Sequence, residues 1–294
     1  MDPRKIPGLL SLSEVPVGLG GCRNGTDSFD CCEYNVSVFD GKSCESIHEI
    51  SGETVKVQHC SLSESSPALL VQLENLAILQ DEQWELRMFL ARIGEKRAKI
   101  MNSFAKSCLV DAGILANRAR EASRAKDPLA AAWVKCSAYF LSDAILSLNS
   151  RRPSPAHMLD ITRRLEKSDT NQTLSLVHQV LGLERASTSL LTRMAKSTIG
   201  FSEMVEGAGN SGIIRRKFEY FADHSLLSDC YFYLGYMNRN NMMKIKNRTH
   251  KNPEYAHILR VAFDMESDHL VVEGQAGALL DRVNDLLASI KDGN

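Results

Sequence analysis

The densest chemistry in this chain lies in Gly20-Gly21-Cys22-Arg23-Asn24-Gly25-Thr26-Asp27-Ser28-Phe29-Asp30-Cys31-Cys32-Glu33. It leads directly into Tyr34-Asn35-Val36-Ser37-Val38-Phe39-Asp40. Gly20, Gly21 and Gly25 let backbone N–H groups approach phosphate oxygens, and Arg23 can neutralise the charge they carry. Asp30 and Glu33 are the candidate ligands for a hard cation. A glycine turn, an acidic cluster and a strand therefore describe a phosphate-and-metal site.

Other constellations compete with it. Cys22, Cys31, Cys32, Cys44 and Cys60 crowd the first sixty residues, with His48 and His59 nearby. They lack the paired Cys-x2–4-Cys spacing of a structural zinc site, so small buried thiols are the simpler reading, and Cys22 is the one to test for reactivity. His224 and Ser228 fall on one face of a helix, with Asp229 one position round. A single helix does not converge such a set on a nucleophile. Asp143 and Asp264 adjoin apolar faces and are expected to pair with a cation such as Arg193 or Arg216. Of the basic runs Arg215-Arg216-Lys217 and Lys244 to Lys251, the second is a candidate phosphate or RNA contact, and a solvated loop explains it more simply.

The elements that must position these residues change in kind near residue 82. Before it, Val36 and Val38 alternate with Ser37 and Phe39, and Val55 and Val57 with Lys56 and Gln58, giving two strands. Ser66-Pro67 opens a helix with Leu69, Leu70, Leu73 and Leu76 on one stripe. Ala77 to Asp81 is either a short strand or the tail of that helix. After Glu82 the periodicity is helical throughout: Arg92–Arg124, a segment opened by Asp127-Pro128, a shorter one opened by Ser154-Pro155, then Thr173–Ser197, Ile213–Asn240 and Pro253–Ile290. The run 207–212 reads as a loop, and the last segment is expected to break near Asp268 or Gly274–Gly277. No fixed-period repeat supports a solenoid.

Bulk composition narrows the function classes. A net charge of −1, from 35 basic and 36 acidic residues, provides no global field for nucleic acid or an anionic membrane. The N-terminus has no basic region leading into an apolar run, and no stretch has the apolar length of a transmembrane helix. These features predict a cytoplasmic protein with reduced thiols, in which the sequons at Asn24, Asn35, Asn171 and Asn247 are coincidental.

Over residues 15–90 the chain resembles the minimal nucleotidyltransferases of the DNA polymerase β superfamily, common in archaea and bacteria with a helical partner domain. In that family a Gly-Ser turn and a later Gly precede two Asp residues separated by one residue on a strand. A third acid lies on a neighbouring strand, and the three hold two Mg²⁺ ions that clamp a nucleoside triphosphate and activate a hydroxyl. Here Gly20-Gly21 stand at the turn and Gly25 at the later glycine. Taking Glu33 as the second acid puts Cys31 at the first; taking Asp30 as the first makes Cys32 its partner. Lys56, Gln58 and His59 occupy the strand where the third carboxylate belongs. Helical partners of the HEPN type cleave RNA with an Arg four to six residues before a His. Arg152-Pro153-Ser154-Pro155-Ala156-His157 has that spacing, but its two prolines make His157 a first-turn residue of a capped helix.

The expected architecture is α+β: a nucleotidyltransferase-like mixed sheet over residues 1–92, then a helical bundle over 93–294, with a division near 200–212 as the alternative to a single bundle. The resemblance implies a catalytically degenerate pseudoenzyme that binds nucleotide or regulates, with Gly20, Gly21, Gly25 and Arg23 at the phosphates. The first alternative is an active enzyme moving NMP from NTP to a hydroxyl, with Asp30 and Glu33 as catalytic and metal-binding residues, or Asp27, Asp30, Glu33 and Asp40 together. The second is a structural protein whose helical faces form a homo-oligomer or hold a protein partner.

Overall fold

A computed structural model describes residues 1–12, 14–25, 28–248 and 254–290. The chain divides into two compact units: Met1–Phe104 with Arg152–Ser154, and Ala105–Arg151 with Pro155–Asn294. The architecture is α+β, a small five-stranded mixed sheet followed by many helices. No helix among the described residues is long and apolar enough to cross a membrane.

In the first unit, α1 (Ile6–Leu9) precedes β1 (Val17–Gly20), β2 (Tyr34–Val38), β3 (Glu45–Ile50) and β4 (Glu53–His59). Then follow α2 (Pro67–Leu73), β5 (Ala77–Gln80) and α3 (Glu85–Glu95). The sheet order is β3-β4-β2-β1-β5. Strands β2 and β4 are parallel and every other pairing is antiparallel. Tyr34, Val36 and Val38 point to the same face as Val17, Leu19, Val55 and Val57, and Ile6 closes that core. The alternation that predicted β2 and β4 thus reports this face. The opposite face carries Asn35, Ser37 and Lys56, and Phe39 packs edge-on against Phe89 of α3 with ring centroids 5.7 Å apart.

Ala77–Gln80 resolves as a strand, not a helix tail. Strand β3 has no hydrophobic alternation and is exposed or half-buried throughout, as suits a charged sheet edge. Ser51 and Gly52 join it to β4 with φ of 53° and 79°, the two positive values of a tight hairpin turn.

The expected long helix from Arg92 is two: α3 ends at Glu95, and α4 (Arg97–Arg124) starts after Lys96. The second unit continues with α5 (Ala130–Leu148), α6 (Met158–Arg163), α7 (Asp169–Leu181), α8 (Thr188–Glu206), α9 (Gly209–Asp223), α10 (Leu227–Ile245), α11 (Glu254–Ala262) and α12 (His269–Ser289). Helix α5 is the centre, buried at nearly every position. Its neighbours include α7, α10 and α12.

Two further helical readings differ from the structure and a third agrees with it. Thr173–Ser197 contains a stop at Gly182, whose φ of 75° ends α7 in the left-handed conformation. Ile213–Asn240 breaks at 224–226, between α9 and α10, and α9 begins inside the glycine run at 209. Pro253–Ile290 breaks at the first of the two expected places, before Asp268, which accepts the Leu270 N–H at 2.8 Å and caps α12; Gly274 and Gly277 continue that helix.

Candidate functional site

The polar face of the sheet is built by strand phase. With Val36 and Val38 turned into the core, Asn35 and the residue two before it, Glu33, belong to the opposite side. The Asn35 amide reaches Glu33 Oε1 at 3.5 Å. The parallel register sets Asn35 opposite Lys56, which brings that lysine onto the same face. Lys56 Nζ lies 3.0 Å from Glu45 Oε2. A carboxylate, an amide and an ammonium thus occupy two alternate positions on one strand and one on its neighbour. Cys31 and Asp30 precede β2, in the turn.

Glu33 is nearly buried, whereas Asp30 is exposed. A set of one carboxylate, one amide and one ammonium is poor chemistry for a pair of hard dications, which require several anionic oxygens. Asp40 follows the far end of β2, seven residues from Glu33, or about 20 Å along an extended chain. The two cannot hold one ion. Asp40 instead accepts from His59 Nδ1 at 2.9 Å and pairs with Lys42 Nζ at 3.0 Å. Burial works to raise its carboxyl, but bonds from Lys42 and His59 outweigh it and hold the group down at about 2. Asp27 lies outside the described residues.

The glycines serve close packing. A Cβ at Gly20 would stand 2.8 Å from Leu76 Cδ2, and one at Gly18 2.9 Å from Leu76 Cδ1. Gly21, with φ of 70°, would meet the Asn35 amide nitrogen at 2.6 Å. The space a Cβ would take is therefore filled by this chain's own Leu76 and Asn35. Gly25 closes the short turn Cys22–Asn24, donating its N–H to the Cys22 carbonyl at 3.0 Å. Asn24 Nδ2 ties that turn to the Asn75 carbonyl at 2.6 Å, next to Leu76.

Arg23 is committed within the unit. Its Nε donates to the Cys32 carbonyl at 2.8 Å and its Nη2 to the Asp30 carbonyl at 2.9 Å. Nη2 also lies 3.4 Å from Glu53, and the guanidinium sits 5.0 Å from the Tyr34 ring centroid. It buckles the Asp30 and Cys32 carbonyls to the turn Cys22–Asn24.

The cysteines form no disulfide. Cys31 and Cys32 are buried, Cys44 is exposed, and burial pushes the Cys60 thiol up to about 11.

The helical unit disposes of the remaining candidates. His224 ends α9, stacks on Tyr220 at 4.0 Å and lies 2.8 Å from its carbonyl; Ser228 and Asp229 open the next helix, so the three do not share one. Asp229 takes Arg163 Nη1 on both oxygens, at 3.0 and 2.9 Å. His157 is buried at the start of α6. Asp143 accepts the Tyr236 hydroxyl at 3.0 Å and pairs with Arg239, whose guanidinium lies 4.4 Å from the Phe140 ring centroid. Asp264 pairs with Arg185 at 3.0 Å. The expected partners Arg193 and Arg216 are thus replaced by Arg239 and Arg185, brought in by helix packing. Lys217 of the first basic run is buried, 5.9 Å from the Tyr233 ring centroid. In the second run Lys244 pairs with Glu206, while residues 249–251 lie outside the described residues.

Sequence reasoning missed Lys135. It is wholly buried on α5 and donates to the carbonyls of Leu181 at 2.9 Å, Phe263 at 2.6 Å and Asp264 at 3.0 Å, and to the Tyr231 hydroxyl at 2.9 Å. It therefore ties the ends of α7 and α11 to α5. Burial pushes the ammonium down to about 7.

No family model matches the chain, and no curated protein matches it. Among solved structures, a nucleotidyltransferase-like protein from Exiguobacterium sibiricum 255-15 is 12% identical over 96% of this chain and 90% of that one, with a TM-score of 0.32. At that TM-score the likeness carries no weight for fold or function.

Proposed function

We propose that the first unit is a nucleotidyltransferase-like module without two-metal catalysis, acting as a nucleotide-binding or regulatory element in a chain that also carries the helical unit. The observation that carries this reading is the trio Glu33, Asn35 and Lys56 on one sheet face. The resemblance asks for three carboxylates at two alternate positions and a neighbouring strand. Here an ammonium stands at the third, where it repels a divalent cation and attracts a phosphate. Any nucleotide is then held through Lys56 without Mg²⁺, because Arg23 is bonded to the loop and Leu76 covers Gly20.

Calorimetry with ATP, GTP, CTP and UTP, each with Mg²⁺ and with EDTA, tests it. The expected result is binding that persists in EDTA, weakens at least tenfold in Lys56→Ala, and releases no pyrophosphate. Binding that requires Mg²⁺, with pyrophosphate release abolished by Glu33→Gln, would establish the enzyme reading instead. Absence of heat from all four nucleotides would end the nucleotide-binding reading and leave a protein-interaction role.

A further inference from the structure

The helical unit holds a cleft of about 310 Å³, the lower end of the range for small-molecule sites. Leu159 and Leu183 give it apolar walls; Arg163 of α6, His178 of α7 and Ser228 of α10 bring polar groups to it. We propose that this cleft binds a small molecule through a single oxyanion head, a carboxylate or a phosphate. The inference is independent of the reading of the sheet unit.

Two observations carry it beyond the cavity itself. His178 Nε2 is shielded from solvent and has no hydrogen-bond partner among the described residues, an arrangement that costs free energy unless a ligand supplies one. Arg163 meets Asp229 through Nη1 alone, and no other described residue bonds its guanidinium. That ion pair fixes the guanidinium plane and leaves the Nε–Nη2 edge, whose two parallel donors match an oxyanion. Ser228 adds a hydroxyl from the first turn of a 19-residue helix, where the helix dipole favours negative charge.

The charges around His178 set the ligand class. Arg163 is paired with Asp229, and burial, with Arg163 beside it, lowers the His178 pKa and so favours the neutral ring in the free protein. Glu184 stands exposed at the rim and disfavours a second anionic group. An entering oxyanion accepts from Arg163, Ser228 and His178. It favours the protonated imidazole, so binding takes up a proton at Nε2 or Nδ1 and weakens as pH rises.

Histidine ring resonances followed by NMR through a pH titration, with inorganic phosphate in one arm and propionate in the other, test the proposal. His178→Gln assigns the signal. The expected result is an upward shift of about one unit in the His178 titration in one arm, equivalent to roughly tenfold tighter binding below it than above. The arm that shows it identifies the head group. Arg163→Lys, which can keep the Asp229 ion pair, and the small change Ser228→Ala both reduce the shift. If neither probe moves the His178 signal, or both variants leave the shift intact, the proposal is overturned.

Discussion

The two units treat charge in opposite ways. On the sheet, Asn35 and Lys56 are half-buried beside the buried Glu33, and Lys56 pairs with a half-exposed Glu45. In the helical unit, Asp143, Arg239 and Lys135 are buried and bonded across several helices. The first arrangement costs little and can be exchanged for a ligand. The second holds helices in register and cannot be opened without unfolding. Bonding across several helices thus separates structural charges from those available for recognition.

Breaking that contrast begins with its deepest pair. Asp143→Ala leaves Arg239 buried without its counter-ion, and should cost about 3–5 kcal/mol in chemical denaturation. A loss near zero would show that water reaches Arg239 and that the helical unit is not closed there.

Lys135 sharpens the contrast through pH. Its folded value of about 7 lies below the unfolded value of 10.5, so the unfolded chain binds more protons between them. Stability should therefore rise as pH increases from about 7 to 10.5, by up to about 1.4 kcal/mol per pH unit. Denaturation midpoints measured across that range should show the slope in the native chain and lose it in Lys135→Met.

On the sheet the expected stability effect is smallest. Lys56→Ala should change stability by less than about 1 kcal/mol, since an exposed ion pair contributes little. Its effect belongs to ligand binding. Replacing two residues, Asn35→Asp with Lys56→Asp, should create Mn²⁺ binding detectable by electron paramagnetic resonance where the native chain has none. Equal Mn²⁺ binding by both chains would overturn the metal-free reading.

Legibility in the sequence followed the same divide. The strand pattern of Val36, Val38, Val55 and Val57 exposed β2 and β4, because burying one face imposes a period of two. Strand β3 gave no such sign, since an edge exposed on its length selects for charge rather than alternation. Helix interiors were readable, but their ends depended on single residues such as Gly182 and Lys96, whose conformations only the packed structure settles. In the candidate site, pairing Glu33 with Cys31 started the strand too early. Cys31 lies in the turn, whereas Asn35 lies on β2, in phase with Glu33 just before the strand. Lys56 was visible as a misfit, whereas its position opposite Asn35 came from the parallel register. Lys135 had no signal at all, because its four partners are 46 to 129 residues away.

Leu76 has a consequence for how this protein could change over generations. Its side chain occupies the ground above Gly18 and Gly20, and Asn24 anchors the residue just before it. A lineage that acquired acidic residues at 35 and 56 would still find that ground taken. Trimming Leu76 first would leave an apolar gap with no immediate benefit. The acid substitutions alone would likewise bring charge without room for a substrate. Neither order of steps improves the protein at each stage, so Leu76 works as a ratchet against the gain of a metal site on this face.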